Sequence, residues 1–446
     1  MNIAVAGTGY VGLVAGVCFA EVGHDVTCVD IDEKKVEMMS QGISPIYEQD
    51  LEKLMKKNNE AGRLHYTIDY KEAYKKAQAI FIGVGTPERP DGSADLSYIA
   101  TVARQIAESV ENDCLVVVKS TVPVGTNDKV EQFIKDFLVN DVKVEVASNP
   151  EFLAQGTAVK DTLCAARIII GTESDTARKI LEEIYEPFNL PIVSVGRRSA
   201  EMIKYACNDF LALKISYMND IANLCELMGA DIEDVARGMS YDRRIGDRFL
   251  SAGIGYGGSC FPKDTKALRY LAKENGYTLR TVEAAVDVNN DQKIKLYKKA
   301  AKRMITFSGI KVAVLGLTFK PGTDDIREAP AIDNVEMLLK NGADVFAYDP
   351  VGGENFKKRF PEKSGSGNGK ITYAGTALEA IKDAEICFIF TEWNEIKEVK
   401  PEEYKKLMRV PLVYDGRNIY NPEDMRKAGI EYYSIGRLKE KVNSVG

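Results

Sequence analysis

The chain has 446 residues, 45% hydrophobic and 28% charged, with a formal net charge of -7. That length exceeds one ordinary core and calls for two or three domains, while charges mixed along the chain, with no block of one sign, make nucleic acid a poor partner. No apolar run approaches the ~18 residues of a membrane span, "MNIAVAGTGY" lacks a signal peptide's features, and eight cysteines without a C-x-x-C pair point to neither a zinc site nor a disulfide framework. The expectation is a cytoplasmic protein with no membrane partner and no metal.

The first thirty residues read as strand "MNIAVA", turn "GTGYVG", helix "LVAGVCFAEVG" and strand "HDVTCVD". Gly7, Gly9 and Gly12 make a G-x-G-x-x-G pattern, and Asp30 follows at the end of the second strand. Gly7 permits the tight turn, Gly9 lets the backbone approach a pyrophosphate, and Gly12 lets the helix pack on the strand. The helix start attracts phosphate. A carboxylate at Asp30 can accept ribose hydroxyls and repels a 2'-phosphate, which favours NAD over NADP.

Further apolar runs at 77–87, 114–123, 142–152 and 166–172 are separated by helix-length connections, the pattern of a parallel, doubly wound sheet. Thr86, Ser120, Thr121 and Glu151 end these runs and are expected to line one cleft. From Ser199 to about Met228 a long helix is expected, stopped by Gly229, with Ser199 and Glu201 suited to its start. Lys204 and Asn208 share one face of it. They are either residues with work to do or a snorkelling lysine and a solvated asparagine.

The last third repeats the first. "KVAVLGLTF", "ADVFAYDP", "AEICFIFTEW" and "PLVYDGRN" parallel the opening strands in the same order, but the turn reads Gly316, Leu317, Thr318, Phe319, Lys320, without the dinucleotide pattern. The expected fold is α/β: two Rossmann-like domains, each a doubly wound parallel sheet, joined by a long central helix. The boundaries are 1–198 for the NAD-binding domain, 199–300 for a central helical region, and 301–446 for a second domain that could bind a different nucleotide. "EKSGSGNGK" at 362–370 reads as a Gly/Ser loop.

His24 and His65 are the chain's two histidines, and neither adjoins an expected cleft. A general base must then be lysine, a carboxylate or water. In "GIGYGGSCFPKD", Cys260 sits among glycines just before Lys263 and a helix start, with Pro262 in its first turn and Asp264 and Thr265 as candidate caps. Cys260 is either a nucleophile with a favoured thiolate or a small residue that merely fits a tight loop. Beside an NAD site, a reactive thiol suggests alcohol oxidation to an aldehyde, thiohemiacetal formation, a second oxidation to a thioester, and hydrolysis.

The chain resembles the nucleotide-sugar dehydrogenases of the UDP-glucose/GDP-mannose dehydrogenase family over essentially its full length. The motifs that carry this are "GTGYVGL", "GTP" (85–87), "KSTVPVGT", "NPEFL", "SAEMIKYACNDFLA", "RIGDRFLSAGIGYGGSCFPKD", "GLTFKPGTDDIREAP" and "DGRN". The resemblance implies oxidation of UDP-glucose to UDP-glucuronate with NAD, on a homodimer built around the long helix. It implies Cys260 as nucleophile, Lys204 and Asp264 as base, oxyanion or water-activating groups, Asn208 at the oxyanion and sugar, and Thr121 and Glu151 in water and acid/base roles. For NAD it implies Gly7, Gly9, Tyr10, Val11, Gly12 and Asp30, together with Lys35, Thr86, Thr121, Gln155, Lys263 and Arg327. For UDP-glucose it implies Glu151, Phe152, Leu153, Lys204 and Asn208, then Phe249, Gly253, Tyr256, Gly257, Lys320 and Arg417, with Arg244 reaching the neighbouring subunit. The glycines around Cys260 would let a bulky nucleotide sugar approach the thiol.

Gln155 departs from the family, in which a carboxylate usually stands near the nicotinamide. Among alternatives, the cysteine loop argues against UDP-N-acetylhexosamine relatives, which typically carry a histidine there, whereas GDP-mannose enzymes keep a similar loop. A non-catalytic nucleotide sensor on the same scaffold would have no need of Cys260, Lys204 and Asp264 together.

Overall fold

The apolar runs of the first two hundred residues form eight strands: β1 (Asn2–Ala6), β2 (Asp25–Val29), β3 (Leu64–Thr67), β4 (Ala79–Ile82), β5 (Cys114–Val118), β6 (Val144–Ser148), β7 (Ile168–Gly171) and β8 (Ile192–Val195). They are seen in a computed structural model of the protein, which describes residues 1–362 and 369–437. Most of the expected Gly/Ser loop, 363–368, lies outside the described residues. The chain forms two units: Met1–Cys207 with Lys266–Tyr277, and Asn208–Thr265 with Thr278–Gly446.

In the first unit the strand order is β3-β2-β1-β4-β5-β6-β7-β8. Strands β4 and β5 are buried at every position because helices cover both faces of the sheet. Phe81 and Val117 join a core with Leu13, Val17 and Phe19 on one face. Ile80, Ile82, Val116 and Val118 join Ile106 and Ile134 on the other.

One pairing differs from the expected all-parallel sheet: β7 meets β6 antiparallel, through Ser148 and Gly171. The helix between them, Ala158–Leu163, has six residues. It rises about 9 Å, less than the roughly 16 Å that a five-residue strand climbs, so the chain does not return to the start of the sheet before re-entering it. Strand β8 then pairs parallel with β7.

The second unit contains β9 (Lys311–Leu315), β10 (Asp344–Tyr348), β11 (Lys370–Tyr373), β12 (Ile386–Ile389), β13 (Leu412–Asp415) and β14 (Glu431–Tyr433). Their order is β11-β10-β9-β12-β13-β14, and each pairing is parallel. This repeats the order of the first six strands, as the internal repeat predicts.

The long helix spans Arg197–Met228 and ends at Gly229, which has φ +80°. It begins two residues before Ser199, and Glu201 does not cap it. The buried Glu201 carboxylate instead accepts from the N–H groups of Gly125 and Asn127 and from the Asn127 side chain, which satisfies the start of the helix Thr126–Phe137. Among the described residues no helix is long and apolar enough to cross a membrane.

Candidate active site

At the end of β1 the chain turns through Gly7, with φ +90°. A Cβ at Gly12 would lie 1.9 Å from the Gly7 carbonyl oxygen, so only glycine lets the helix Tyr10–Glu21 start this close to the strand. Gly9 is its N-cap, and nothing stands within 4 Å of where a Gly9 Cβ would point. The start of that helix is thus open on the side where a Gly9 side chain would stand, which suits the close approach of a pyrophosphate. Just beyond β2, Asp30 accepts from the Thr8 N–H at 3.0 Å, from the Thr8 hydroxyl, and from the Asp32 N–H at 3.0 Å. Burial works against its charge, but these donors outweigh it and hold Asp30 below the ordinary aspartate pKa. An ionised acid at the second strand and an open glycine turn fit NAD. Tyr10 donates from its hydroxyl to the Tyr47 carbonyl, and Val11 is half-buried. Lys35 is half-buried in the next helix, near enough to Asp30 to favour its charge.

Thr86, Thr121 and Glu151 follow β4, β5 and β6, which are neighbours in the sheet. The Thr86 hydroxyl donates to the Thr121 carbonyl at 2.9 Å, and Ser120 donates to the Val84 carbonyl at 2.6 Å. Glu151 and Lys204 form a 3.0 Å ion pair, with side chains 6% and 3% exposed. Glu151 also accepts the Leu153 N–H, and the Phe152 ring lies beneath both the Arg167 guanidinium and the Lys204 ammonium. Lys204 is thus no snorkelling surface lysine.

Two residues of this region were not legible in the sequence. Lys119 is buried at the end of β5, with its ammonium 2.9 Å from Asn149 Oδ1 and 3.4 Å from the Tyr185 hydroxyl. Burial pushes its pKa down to about 8; Glu151 opposes that shift and Lys204 adds to it. Glu48 accepts from the N–H groups of Gly156 and Ala158 and so holds the loop that carries Gln155, which is buried. A lysine closing an apolar strand was the available signal for Lys119. Glu48 and Gly156 lie too far apart in the chain for any local pattern.

In the second unit Cys260 occupies the position before the helix Phe261–Glu274, and its carbonyl accepts the first helical hydrogen bond, from the Asp264 N–H at 2.8 Å. The thiol is half-buried, 3.8 Å from the Ser259 hydroxyl. A helix N-terminus favours a thiolate. Asp264 is buried; one carboxylate oxygen accepts from Asn208 at 2.6 Å and the other pairs with Lys263 at 2.7 Å. The capping roles expected of Asp264 and Thr265 are not found. Thr265 donates back to the Phe261 and Pro262 carbonyls, and Asp264 faces Asn208.

The glycines of this loop serve its own packing. A Cβ at Gly257 would lie 2.3 Å from the Glu328 carbonyl, and Gly258 has φ +85° with its N–H bound to the Arg327 carbonyl. A Cβ at Gly253 would lie 2.9 Å from the Gly416 carbonyl oxygen, and the Gly253 N–H donates to Asn219. Close backbone contact by itself thus requires glycine at these positions.

Arg417 is not a solvated charge. Its guanidinium donates to the carbonyls of Phe390, Gly255 and Phe319, tying the thiol loop to the ends of β9 and β12. Tyr256 is buried, held by Asn289 through both its N–H and its carbonyl. Phe249 is exposed at φ +64°, with its ring 6.4 Å from Phe261. The Lys320 ammonium lies 5.7 Å from the Phe319 ring centre. Arg327 forks onto Asp325 and remains largely exposed. Arg244 forks onto Asp242 with its side chain 90% exposed. His24 is buried, 2.8 Å from the Ile184 carbonyl, and His65 lies exposed beside Asp25.

The open glycine turn and the ionised acid beyond the second strand are those of an NAD-dependent dehydrogenase. The chain belongs to the UDP-glucose/GDP-mannose dehydrogenase family. That family's NAD binding domain matches residues 1–189, its central domain 198–291 and its UDP binding domain 313–422. The chain is 48% identical over 437 residues to the UDP-glucose 6-dehydrogenase YwqF of Bacillus subtilis (strain 168), covering 98% of each. It is 46% identical to the UDP-glucose 6-dehydrogenase of Rhizobium meliloti (strain 1021), covering 98% of this chain and all of that one. Among solved structures, a UDP-glucose dehydrogenase from the archaeon Pyrobaculum islandicum superposes with a TM-score of 0.90 at 36% identity, covering 97% of this chain and 96% of that one.

Proposed function

We propose that the protein is a cytoplasmic UDP-glucose 6-dehydrogenase that oxidises UDP-glucose to UDP-glucuronate, a precursor for polysaccharide synthesis. The observation that carries this reading is the seating of Cys260 at a helix start, directly before the Lys263–Asp264–Asn208 group. NAD, when bound, supplies the hydride acceptor, one molecule for each of the two oxidations. Cys260 Sγ adds to the C6 aldehyde left by the first, giving a thiohemiacetal; after the second, water cleaves the resulting thioester and releases the thiolate.

Lys204, held by Glu151, serves as base or as partner to the developing oxyanion. Asn208 stands one helical turn further along the same helix and offers its amide to the same oxygen. Asp264 orients Asn208 and Lys263 and activates water; Thr121 and Glu151 hold water and exchange protons. Lys320, Phe249, Tyr256 and the backbone of Gly253 and Gly257 receive the nucleotide sugar, and Arg417 shapes that surface by holding its carbonyls.

The long helix also supports a homodimer. Phe210, Tyr217 and Leu224 recur every seven residues and are 61%, 53% and 51% exposed, an apolar stripe suited to a second copy. In such a dimer the exposed Asp242–Arg244 pair would be free to reach the partner's substrate. The test of substrate is NADH formation against a panel of UDP-glucose, GDP-mannose and UDP-N-acetylhexosamines. Turnover on UDP-glucose well above the others is expected, and a preference for GDP-mannose would replace the substrate while leaving the chemistry.

A further inference from the structure

One buried face of the long helix carries Asp209, Ala212, Ser216 and Asn219, at spacings of three and four. Its polar members have defined work. Ser216 donates to the Ala285 carbonyl at 2.6 Å, and Asn219 accepts the Gly253 N–H at 2.8 Å. Asp209 is the exception: it is 5% exposed and, among the described residues, neither carboxylate oxygen has a hydrogen-bond partner. A buried carboxylate without donors or a cation is strongly disfavoured in its charged form. The charge that acts on Asp209 is that of another acid, bound to the adjacent Asn208. Asp264, from the helix that follows Cys260, already has its two oxygens engaged by Asn208 and Lys263. From the loop before Cys260 comes the buried Tyr256, itself neutral at ordinary pH, with the charge of Glu328 behind it.

We propose that Asp209 and Asp264 form a buried carboxyl pair that carries one negative charge at neutral pH, Asp209 being the positioning residue that holds the proton and leaves Asp264 as the single charge presented to Asn208 and Lys263. Burial, and then the charge of Asp264, push the Asp209 pKa to about 8, in keeping with this division. A second charge entering at higher pH would repel Asp264 and loosen its hold on Asn208. That consequence for turnover rests on the proposed role of Asp264 in catalysis; the proton on Asp209 does not.

The sign for stability follows from the raised pKa. The folded chain keeps a proton that the unfolded chain releases, so the stabilisation is complete below the ordinary aspartate value and is lost as pH rises through about 8. The test compares full-length wild type, Asp209→Asn and Asp264→Asn by melting temperature and by kcat with UDP-glucose and NAD, from about pH 6 to about pH 9. In the wild type the melting temperature should fall across this range, and Asp209→Asn should flatten that fall. The alkaline limb of its kcat profile should move up by about one pH unit, with the NAD KM unchanged. In Asp264→Asn, relief of the like charge should bring the midpoint of the melting-temperature fall to lower pH. Identical pH slopes of melting temperature in wild type and Asp209→Asn overturn the proposal. If Asp209→Asn fails to fold, an unmoved midpoint in Asp264→Asn overturns it instead. Asp264→Asn with undiminished kcat but a shifted midpoint would refute the catalytic reading of Asp264 and leave the pair intact.

Discussion

At the end of β1, Gly7 donates its N–H to the Val29 carbonyl with φ +90°; at the end of β9, Gly316 donates to the Tyr348 carbonyl with φ +88°. Each turn is followed by an aspartate just past the neighbouring strand, Asp30 in one unit and Asp349 in the other. From there the two diverge. The first turn enters a helix at Tyr10 and leaves Asp30 bound to Thr8 and Asp32. The second runs on through a loop to the helix Pro330–Lys340. Its Asp349 is taken up by the N–H groups of Leu317, Thr318, Val351 and Gly352, by the Thr318 hydroxyl and by the Trp393 indole. One fold position thus holds an acid with capacity for a ribose in the first unit and an acid locked into structure in the second. Ancestral-looking symmetry of strands says little about ligand; the turn and what the aspartate already binds decide it.

If the two halves are specialised in this way, they can be broken separately. The largest effect is expected from Cys260→Ser, which should lower UDP-glucuronate formation by about a thousandfold or more while NAD binding, measured by fluorescence titration, stays near wild type. Loss of NAD binding along with turnover would mean that the thiol loop serves the cofactor.

Next in size is the pair of aspartates. Asp30→Ala should raise the NAD KM by about tenfold or more, the worth of a charge-assisted hydrogen bond or two, with little change in melting temperature. Asp349→Ala should do the reverse, leaving several buried donors unpaired at a cost of about 2–4 kcal/mol in a denaturant titration, with the NAD KM intact. Matching behaviour in the two variants would erase the contrast between the turns.

Lys119 offers a pH test confined to the first unit. Its pKa is depressed on folding, so between about 8 and the ordinary lysine value the unfolded chain binds the extra proton and stability rises with pH. Lys119→Met should remove that rise, on the order of 2 kcal/mol, when urea midpoints are compared from about pH 7.5 to about pH 10. An unchanged rise would show that Lys119 is not its source. The smallest effect is expected from Gln155→Glu, a change of charge with little change of shape: activity should persist with a several-fold altered NAD KM, and equal KM values would remove Gln155 from the cofactor site.

Much of this was legible in the chain alone. Strands β1, β4, β5, β9 and β12 are near-continuous apolar runs because both faces of their sheets are covered, and such runs survive in any reading for hydrophobicity. Strands β8, β11 and β14 were not foreseen: they are three or four residues long, lie at sheet edges and are largely half-exposed, so no strong pattern marks them. The reversal at β7 was hidden because strand direction leaves no trace in composition. At the site, Cys260, Lys204, Asn208 and Asp264 stood out through motif and helix spacing. The burial of Lys119, the work of Glu48 and Glu201 on distant helix starts, and the grip of Arg417 on three carbonyls depend on partners far away in the chain. The same holds for Asp264, which reads as a local helix cap and instead finds its amide partner 56 residues earlier.

The most direct test of the proposed chemistry is a count of NADH formed against UDP-glucose consumed, run to completion with limiting sugar. Two NADH for each UDP-glucose, with UDP-glucuronate as product and none formed by Cys260→Ser, is the result expected of successive oxidations through a thioester. One NADH per sugar with free aldehyde released, or an undiminished yield from Cys260→Ser, would contradict a nucleophilic Cys260.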